Sequence, residues 1–181
     1  EEVFWDTFSD KELDTIEYFK AFVLLINKKY GKNRYLSKNN QNIKRLGLIS
    51  RMFPKASILV PFRSPVQHAY SLLTQHKKFI ESSMGDVFIS QYMKWIGHTE
   101  FGPNYVPIHS KNLQYSDEFD INHWLEQWLM VYSSCLELLN TRKNVHFICY
   151  ESLCGLPAYW PNILELLDVK KKYDYGFTES S

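Results

Sequence analysis

An arginine and a serine, Arg63 and Ser71, mark the part of the sequence best suited to bind an anion. Arg63 follows residues 57–62, a short apolar run with β-branched members that predicts a buried parallel strand. Pro65 fits the first turn of a helix, where its missing N–H costs nothing, and this helix would carry Ser71 about two turns in. Backbone N–H groups at a helix start, a guanidinium fork and a hydroxyl all donate to phosphate oxygens. The spacing predicts a phosphate site; a surface salt bridge and an ordinary helix serine are the alternative.

A lysine, Lys38, lies at a similar junction earlier in the chain. Tyr35 and Leu36 before it form a short β-prone run, and Asn39 or Asn40 after it can cap a helix. Apolar residues at helical spacing continue this helix until a proline ends it: Ile43, Leu46, Ile49, Phe53 and then Pro54. Residues 34–71 are therefore predicted to run strand, helix, strand, helix. An exposed lysine at a helix start is the alternative interpretation of Lys38.

These residues, taken in order, resemble the core of the sulfotransferases that use 3′-phosphoadenosine 5′-phosphosulfate (PAPS). The matching features are Lys38, a helix ending in Phe53-Pro54-Lys55-Ala56, an apolar strand, Arg63-x-Pro65 and Ser71. The resemblance implies that Arg63 and Ser71 bind the 3′-phosphate of the cofactor. It also implies that Lys38 lies near the sulfuryl group, as in the similar Lys-x-Pro-x motif of tyrosylprotein sulfotransferases. Asn40 stands where those proteins have proline and where cytosolic sulfotransferases have their catalytic histidine, so the resemblance assigns no base.

A second match follows the next apolar run, at residues 145–150, which predicts another buried strand. Tyr150-Glu151-Ser152-Leu153 is similar to the Tyr-Glu-Asp-Leu signature of the same family. The resemblance implies that Tyr150 lies against the adenine of the cofactor. It extends over about residues 34–167 and is strongest between Lys38 and Ser71.

The resemblance implies an α/β fold with three layers, a central parallel sheet flanked by helices, of the P-loop NTPase-like sulfotransferase type. Relatives hold the 5′-phosphosulfate on a glycine-bearing loop near their N-terminus, and no Gly-x-x-x-x-Gly-Lys-Ser/Thr occurs in this sequence. We therefore expect residues 1–181 to be one sulfotransferase-like domain that begins after that loop and is incomplete at its N-terminus. A degenerate relative that has lost the loop is the alternative.

Composition limits the kinds of partner. The net charge of +1 argues against a nucleic-acid surface, so an anion site must be local. The three cysteines, Cys135, Cys149 and Cys154, have neither the even number of a disulfide framework nor the spacing of a zinc site. We expect no metal cofactor, no membrane span in this chain and a reducing, cytoplasmic location, unless an anchor or signal lies upstream of Glu1.

Residues 97–119 show little periodicity and contain Gly102, Pro103 and Pro107, which predicts a long loop. Loops of this length often serve as lids or substrate-binding segments. His98 and His109 in this loop are candidates for a general base, because a histidine titrates near neutral pH. Surface or packed histidines without a catalytic role are the alternative.

The function predicted is transfer of a sulfuryl group from PAPS to a hydroxyl or amine, on a carbohydrate, lipid, peptide or small alcohol. The resemblance implies in-line displacement, in which Lys38 would neutralise charge that develops on the sulfuryl oxygens. One rival is a nucleotide-dependent phosphotransferase, which would need magnesium. The other is a non-catalytic binding module that retained the fold.

Overall fold

The computed structural model describes residues 4–5 and 12–169, and it is a mixed α/β structure in which helices predominate. The described residues form two compact units. Of the described residues, 4–5, 12–45 and 75–107 belong to the first unit, and 46–74 and 108–169 belong to the second. Arg63, Ser71 and Tyr150 lie in the second unit, and Lys38 lies in the first.

The sheet of the second unit consists, within the described residues, of two parallel strands. Strand β1 (Ile58–Phe62) pairs with strand β2 (Val145–Cys149), in a register that runs from Ile58 opposite Val145 to Phe62 opposite Cys149. Val60 and Val145 are buried, as expected of β-branched residues in a covered parallel pair. The prediction of parallel strands with helices around them is confirmed; the three-layer fold is not tested by a sheet of this size.

The strand predicted at Tyr35 and Leu36 is wrong. Residues 34–39 have no regular structure, and Leu36 is 94% exposed. A β-prone dipeptide becomes a strand only where a neighbouring strand pairs with it and a core covers one face. Neither condition holds at Leu36 among the described residues.

The helix predicted after Lys38 is present in two parts, a 3₁₀ helix (Asn40–Arg45) and helix α2 (Leu46–Met52). The Asn39 side chain accepts a hydrogen bond from the Gln41 N–H at 2.9 Å, so Asn39 is the residue that caps it. In the second unit, the amide of Asn144, just before β2, donates to the carbonyls of Ser50 and Phe53 at 3.2 and 3.1 Å. These bonds fix the end of α2 beside the start of β2.

Helix α3 (Pro65–Gly85) starts at the predicted proline. Its first part, to Thr74, belongs to the second unit, and its remainder belongs to the first. Helix α4 (Val87–Trp95) follows, capped by Asp86, whose side chain accepts from the Phe88 N–H at 2.8 Å. The two helices therefore meet at a capped break and do not form one continuous rod.

Helix α5 extends over Ile121–Thr141. Asp120 caps it by accepting from the Asn122 N–H at 2.9 Å. The apolar stripe of α5 faces the core, because Trp124, Val131 and Cys135 are buried. Short helices α6 (Tyr150–Gly155) and α7 (Tyr159–Leu166) follow β2, and the Tyr159 hydroxyl accepts from the Cys149 N–H at 3.0 Å.

The first unit contains helix α1 (Glu12–Tyr30), which is followed by Gly31 in the left-handed conformation. Phe19 of α1 stacks against Trp5, with ring centres 4.5 Å apart. In the same unit His76, completely buried, accepts a hydrogen bond at Nδ1 from the Gly102 N–H at 3.3 Å. Gly102 has φ +83, and a Cβ there would lie 3.2 Å from that of Phe79, so no larger residue fits without strain.

Candidate functional site

The parallel register brings Arg63 and Tyr150 to the same edge of the sheet. Phe62 and Cys149 are the last paired residues of β1 and β2, so the chain leaves both strands side by side. The guanidinium carbon of Arg63 lies 5.6 Å from the centre of the Tyr150 ring, within the range of a cation–π contact. Two residues predicted separately, each from its own motif, are therefore neighbours.

One donor of the Arg63 guanidinium has no hydrogen-bond partner among the described residues. This donor is the Nε group, which is buried. Guanidinium carries five N–H donors in a fixed fork, and a buried donor without an acceptor costs free energy that a bound anion would recover. Arg63 is therefore equipped to bind an anion and is not consumed by an internal salt bridge within the described part of the chain.

A carboxylate, Glu151, lies beside this arginine. Its Oε1 accepts from the Ser64 N–H at 2.7 Å, and its Oε2 accepts from the Cys149 thiol at 3.4 Å. The Ser64 hydrogen bond, with further bonds from its own N–H and from Cys149 and the charge of Arg63, holds the pKa of Glu151 below its usual 4.5, so the group is charged at neutral pH. The hydrogen bond from Ser64 to Glu151 therefore links the segment that follows β1 to the segment that follows β2.

This contact corrects part of the prediction for the helix start. The sequence predicts open backbone N–H groups next to Arg63, but the Ser64 N–H is already bonded to Glu151. The negative charge of Glu151 also opposes an incoming anion. Arg63 must therefore contribute more of the anion's binding free energy than a fully open helix N-terminus would require.

Ser71 lies on α3 with an exposed side chain, six residues after Pro65. It makes no hydrogen bond to Arg63 in the structure. Its hydroxyl is accessible from solvent on the part of α3 that belongs to the second unit. The Arg63, Ser71 and Tyr150 assignments thus all fall in one unit, and the direct contact is the one between Arg63 and Tyr150.

A residue to which the sequence analysis gave no role, His68, completes the surroundings of Arg63. Its Nδ1 is buried with no hydrogen-bond partner among the described residues. Burial, and secondarily the positive charge of Arg63, lowers the pKa of His68 below 6.5, so the ring is neutral at pH 7. The spacing of His68 three residues before Ser71 is the sequence signal that identifies it, because such residues are neighbours on a helix.

Tyr132 of α5 contacts residues near the edge of the sheet where Arg63 and Tyr150 lie. Its hydroxyl donates to the Pro61 carbonyl at 2.8 Å, and its ring lies 6.3 Å from that of His68 and 4.7 Å from that of Trp128. Burial, with a smaller effect of Cys135, raises the pKa of Tyr132 to about 12. Tyr132 is therefore a neutral hydrogen-bond donor that fixes the end of β1 on α5.

Lys38 lies in the first unit, just before the 3₁₀ helix, and its side chain is exposed. The other three predicted site residues lie in the second unit. The structure gives no contact that assigns Lys38 a role, and its place near a sulfuryl group stays a prediction.

The two histidines of the predicted loop are both engaged in packing or hydrogen bonds. In the first unit the His98 ring stacks on Phe79 at 5.2 Å, and its Nε2 lies 3.1 Å from Glu100 Oε2. In the second unit the backbone of His109 is held by Gln127, which accepts from its N–H at 3.0 Å and donates to its carbonyl at 2.7 Å. Neither contact identifies a general base.

The part of the loop that belongs to the second unit is fastened to α5. Glu126 accepts from the N–H groups of Gln114 and Tyr115 at 2.8 and 2.9 Å. The buried His123 bonds the Tyr115 carbonyl at 2.8 Å, and the Trp124 indole donates to the Glu118 carbonyl at 2.9 Å. A segment held at so many points is expected to be rigid. Its role as a lid or a substrate-binding segment stays a prediction.

An open recess of about 300 Å³ lies in the second unit at the opposite ends of the strands. It is lined by residues of the end of α2 and of the turn between α5 and β2: Ser50, Arg51, Pro54, Thr141, Arg142, Lys143 and Asn144. Arginines and lysines after a helix end commonly bond its last carbonyls. The recess does not include any of the predicted site residues.

Within residues 4–5 and 12–169, no group of three or more His, Cys, Asp or Glu side chains is arranged to hold a metal ion. None of the helices in that part of the chain combines the length and apolarity needed to cross a bilayer. Comparison with protein-family models, curated proteins and solved structures found no match for this chain. The functional argument therefore depends on the residues themselves.

Proposed function

We propose that this chain is part of a PAPS-dependent sulfotransferase, which moves a sulfuryl group from PAPS to a hydroxyl or amine. The observation that carries the proposal is the pairing of Arg63 with Tyr150 at the common exit of β1 and β2. The resemblance implies that both residues bind the same cofactor, and the two are neighbours. We also propose that the two strands belong to a larger parallel sheet of the P-loop NTPase-like sulfotransferase fold, with residues 1–181 in a single domain.

The residues of the second unit suit the nucleotide half of the cofactor. Arg63 would hold the 3′-phosphate through its open donors, and the exposed hydroxyl of Ser71 would add another. The Tyr150 ring would lie against adenine, since every base offers a π-face to an aromatic side chain. PAPS itself supplies the activated sulfuryl group.

For the transfer step we propose in-line displacement, with the acceptor oxygen or nitrogen attacking sulfur while the bridging oxygen leaves with the nucleotide phosphate. Lys38 would neutralise negative charge on the sulfuryl oxygens. The acceptor proton must pass to a base that we leave unassigned, because the contacts of His98 and His109 favour neither. Carbohydrate, lipid, peptide and small-alcohol acceptors all fit this chemistry, and the unpaired cysteines are our basis for proposing the cytoplasm.

One observation favours a non-catalytic binding module. Glu151 occupies the Ser64 N–H and places a negative charge near Arg63. A site built for tight phosphate binding usually avoids such a charge, whereas a module that lost its cofactor could tolerate it. We nevertheless prefer the enzyme, because the carboxylate is satisfied by Ser64 and leaves the Arg63 fork open.

Because the sequence predicts that the 5′-phosphosulfate loop precedes Glu1, the test is turnover of PAPS by the longest obtainable form of the protein that includes this chain. Turnover is followed as release of adenosine 3′,5′-bisphosphate in the presence of pooled sugars, lipids, tyrosine peptides and alcohols. We expect acceptor-dependent release that persists in EDTA and is lost in Arg63→Ala but not in Arg51→Ala. No release from PAPS, together with magnesium-dependent transfer of phosphate from ATP to an acceptor, would support the phosphotransferase instead. Nucleotide binding without release for any acceptor would support the binding module.

A further inference from the structure

His68 occupies the stretch of chain between the two residues proposed to bind phosphate. It follows Arg63 by five residues and precedes Ser71 by three. Residues three apart on a helix have Cβ atoms about 5–6 Å from each other on the same surface, so His68 and Ser71 are neighbours on α3. Arg63 is near enough to disfavour a proton on His68 by its charge. His68 therefore adjoins both residues.

One nitrogen of the His68 imidazole makes no hydrogen bond within the described part of the chain. This nitrogen is Nδ1, and it is buried, although buried polar atoms nearly always find a partner. Among the described residues, the ring interacts with the Arg63 guanidinium, from the segment between β1 and α3, and with the Tyr132 ring, from α5. Tyr132 donates its hydroxyl hydrogen to Pro61 and stays neutral at physiological pH. No carboxylate among the described residues pairs with His68.

We propose that His68 is a third ligand of the phosphate bound by Arg63 and Ser71, and that it takes up a proton from solvent when that phosphate binds. The inference rests on the proposed function, which supplies the phosphate as the 3′-phosphate of the nucleotide. It goes further by naming a residue that the resemblance did not assign, and by linking cofactor affinity to pH.

The physical reason is a change in the charge around the imidazole. Without ligand, burial and one neighbouring positive charge both oppose protonation. A phosphate dianion beside the ring more than offsets the single charge of Arg63, so the imidazolium becomes the favoured state and donates a charge-assisted hydrogen bond. The proton is gained by the complex and none is released by Arg63, which stays charged throughout.

The alternative role for His68 is packing against Tyr132 alone. In that case its replacement would alter the stability of the second unit without altering phosphate affinity. The two roles are separated by measuring binding and unfolding on the same variants. His146 of β2, which is also half-buried but lies near the opposite end of the strand, provides a matched control.

The experiment is calorimetric titration of the full chain, His68→Gln and His146→Gln with adenosine 3′,5′-bisphosphate, in two buffers of different ionisation enthalpy. We expect His68→Gln to bind about tenfold more weakly, the usual effect of losing a hydrogen bond to a charged group, and to lose part of the proton uptake. His146→Gln should match the original chain. Unchanged affinity and proton uptake in His68→Gln would overturn the proposal.

A second measurement guards against a variant that does not fold. The ring proton resonances of His68 in the original chain, followed by NMR against pH, should report a higher pKa after adenosine 3′,5′-bisphosphate is added. An unchanged pKa in the saturated complex would overturn the role of His68 while leaving the proposed function standing. Failure of the original chain to bind the nucleotide at all would overturn both.

Discussion

The guanidinium carbon of Arg63 lies 5.6 Å from the centre of the Tyr150 ring, although the two residues are far apart in the chain. The contact exists because β1 and β2 are parallel and end in register, with Phe62 opposite Cys149. The residues that follow the two strands, Arg63 and Tyr150, therefore lie at the same edge of the sheet. A cation next to an aromatic face is a suitable arrangement for a nucleotide that carries both phosphate and base.

Replacement of Tyr150 should weaken nucleotide binding through the base and not through the phosphate. We expect Tyr150→Leu to lower the affinity for adenosine 3′,5′-bisphosphate and for adenosine 5′-monophosphate by a similar factor, about tenfold, since stacking on an aromatic ring contributes roughly 1–3 kcal/mol per base. Tyr150→Phe, which retains the ring, is the control. Competition binding with the two nucleotides measures both factors. A loss confined to the bisphosphate would argue against adenine contact.

Removing the charge of Glu151 should strengthen anion binding. Glu151→Gln retains an oxygen that can accept from the Ser64 N–H but no longer opposes an anion at Arg63. We therefore expect tighter binding of adenosine 3′,5′-bisphosphate, with the gain reduced by salt. Glu137→Gln, an exposed change on α5, is the control. Weaker binding in Glu151→Gln would indicate that the carboxylate organises the site more than it repels the ligand.

The same carboxylate should make stability depend on pH in the acid range. The pKa of Glu151 is lower in the folded protein than its usual 4.5, first because of the Ser64 hydrogen bond. The stabilisation is therefore fully present above about pH 4.5 and is lost as the pH falls through the folded pKa. Urea unfolding at a series of pH values should show Glu151→Gln flattening part of this decline. An identical decline in both proteins would contradict the assignment.

Loss of the Tyr132 hydroxyl should destabilise the edge without changing charge. Tyr132→Phe removes the 2.8 Å bond to the Pro61 carbonyl and leaves that acceptor without this partner. We expect a decrease of about 1 kcal/mol in the free energy of unfolding, measured with urea. Tyr70→Phe, at an exposed position on α3, should have little effect. Equal effects of the two changes would show that the bond to the Pro61 carbonyl does not stabilise the fold.

Much of the local structure could be predicted because single residues determine it. Pro65 starts α3, Asp120 caps α5 and Gly31 ends α1, each through a preference of its own backbone or side chain. The strand predicted at Leu36 failed for the opposite reason: strand formation depends on a pairing partner, which a local pattern does not contain.

The candidate site also combines residues that the sequence identifies with contacts that it does not. Arg63 and Tyr150 could be identified from motifs, but their contact follows from the register of two strands, which neither motif specifies. The bond from Ser64 to Glu151 is also a tertiary contact, so the sequence predicted an open helix start where one donor is already used. His68 could have been found, because its spacing from Ser71 is a helical one.

Selectivity for the 3′-phosphate tests the central claim most directly. Calorimetric titration of the chain with adenosine 3′,5′-bisphosphate and with adenosine 5′-monophosphate gives the ratio of the two affinities. The same titrations of Arg63→Ala and Arg51→Ala show which arginine causes any preference for the 3′-phosphate. We predict that the bisphosphate binds at least about tenfold more tightly, and that only Arg63→Ala abolishes this preference. Equal affinity for the two nucleotides, or a preference that survives in Arg63→Ala, would contradict the sulfotransferase assignment.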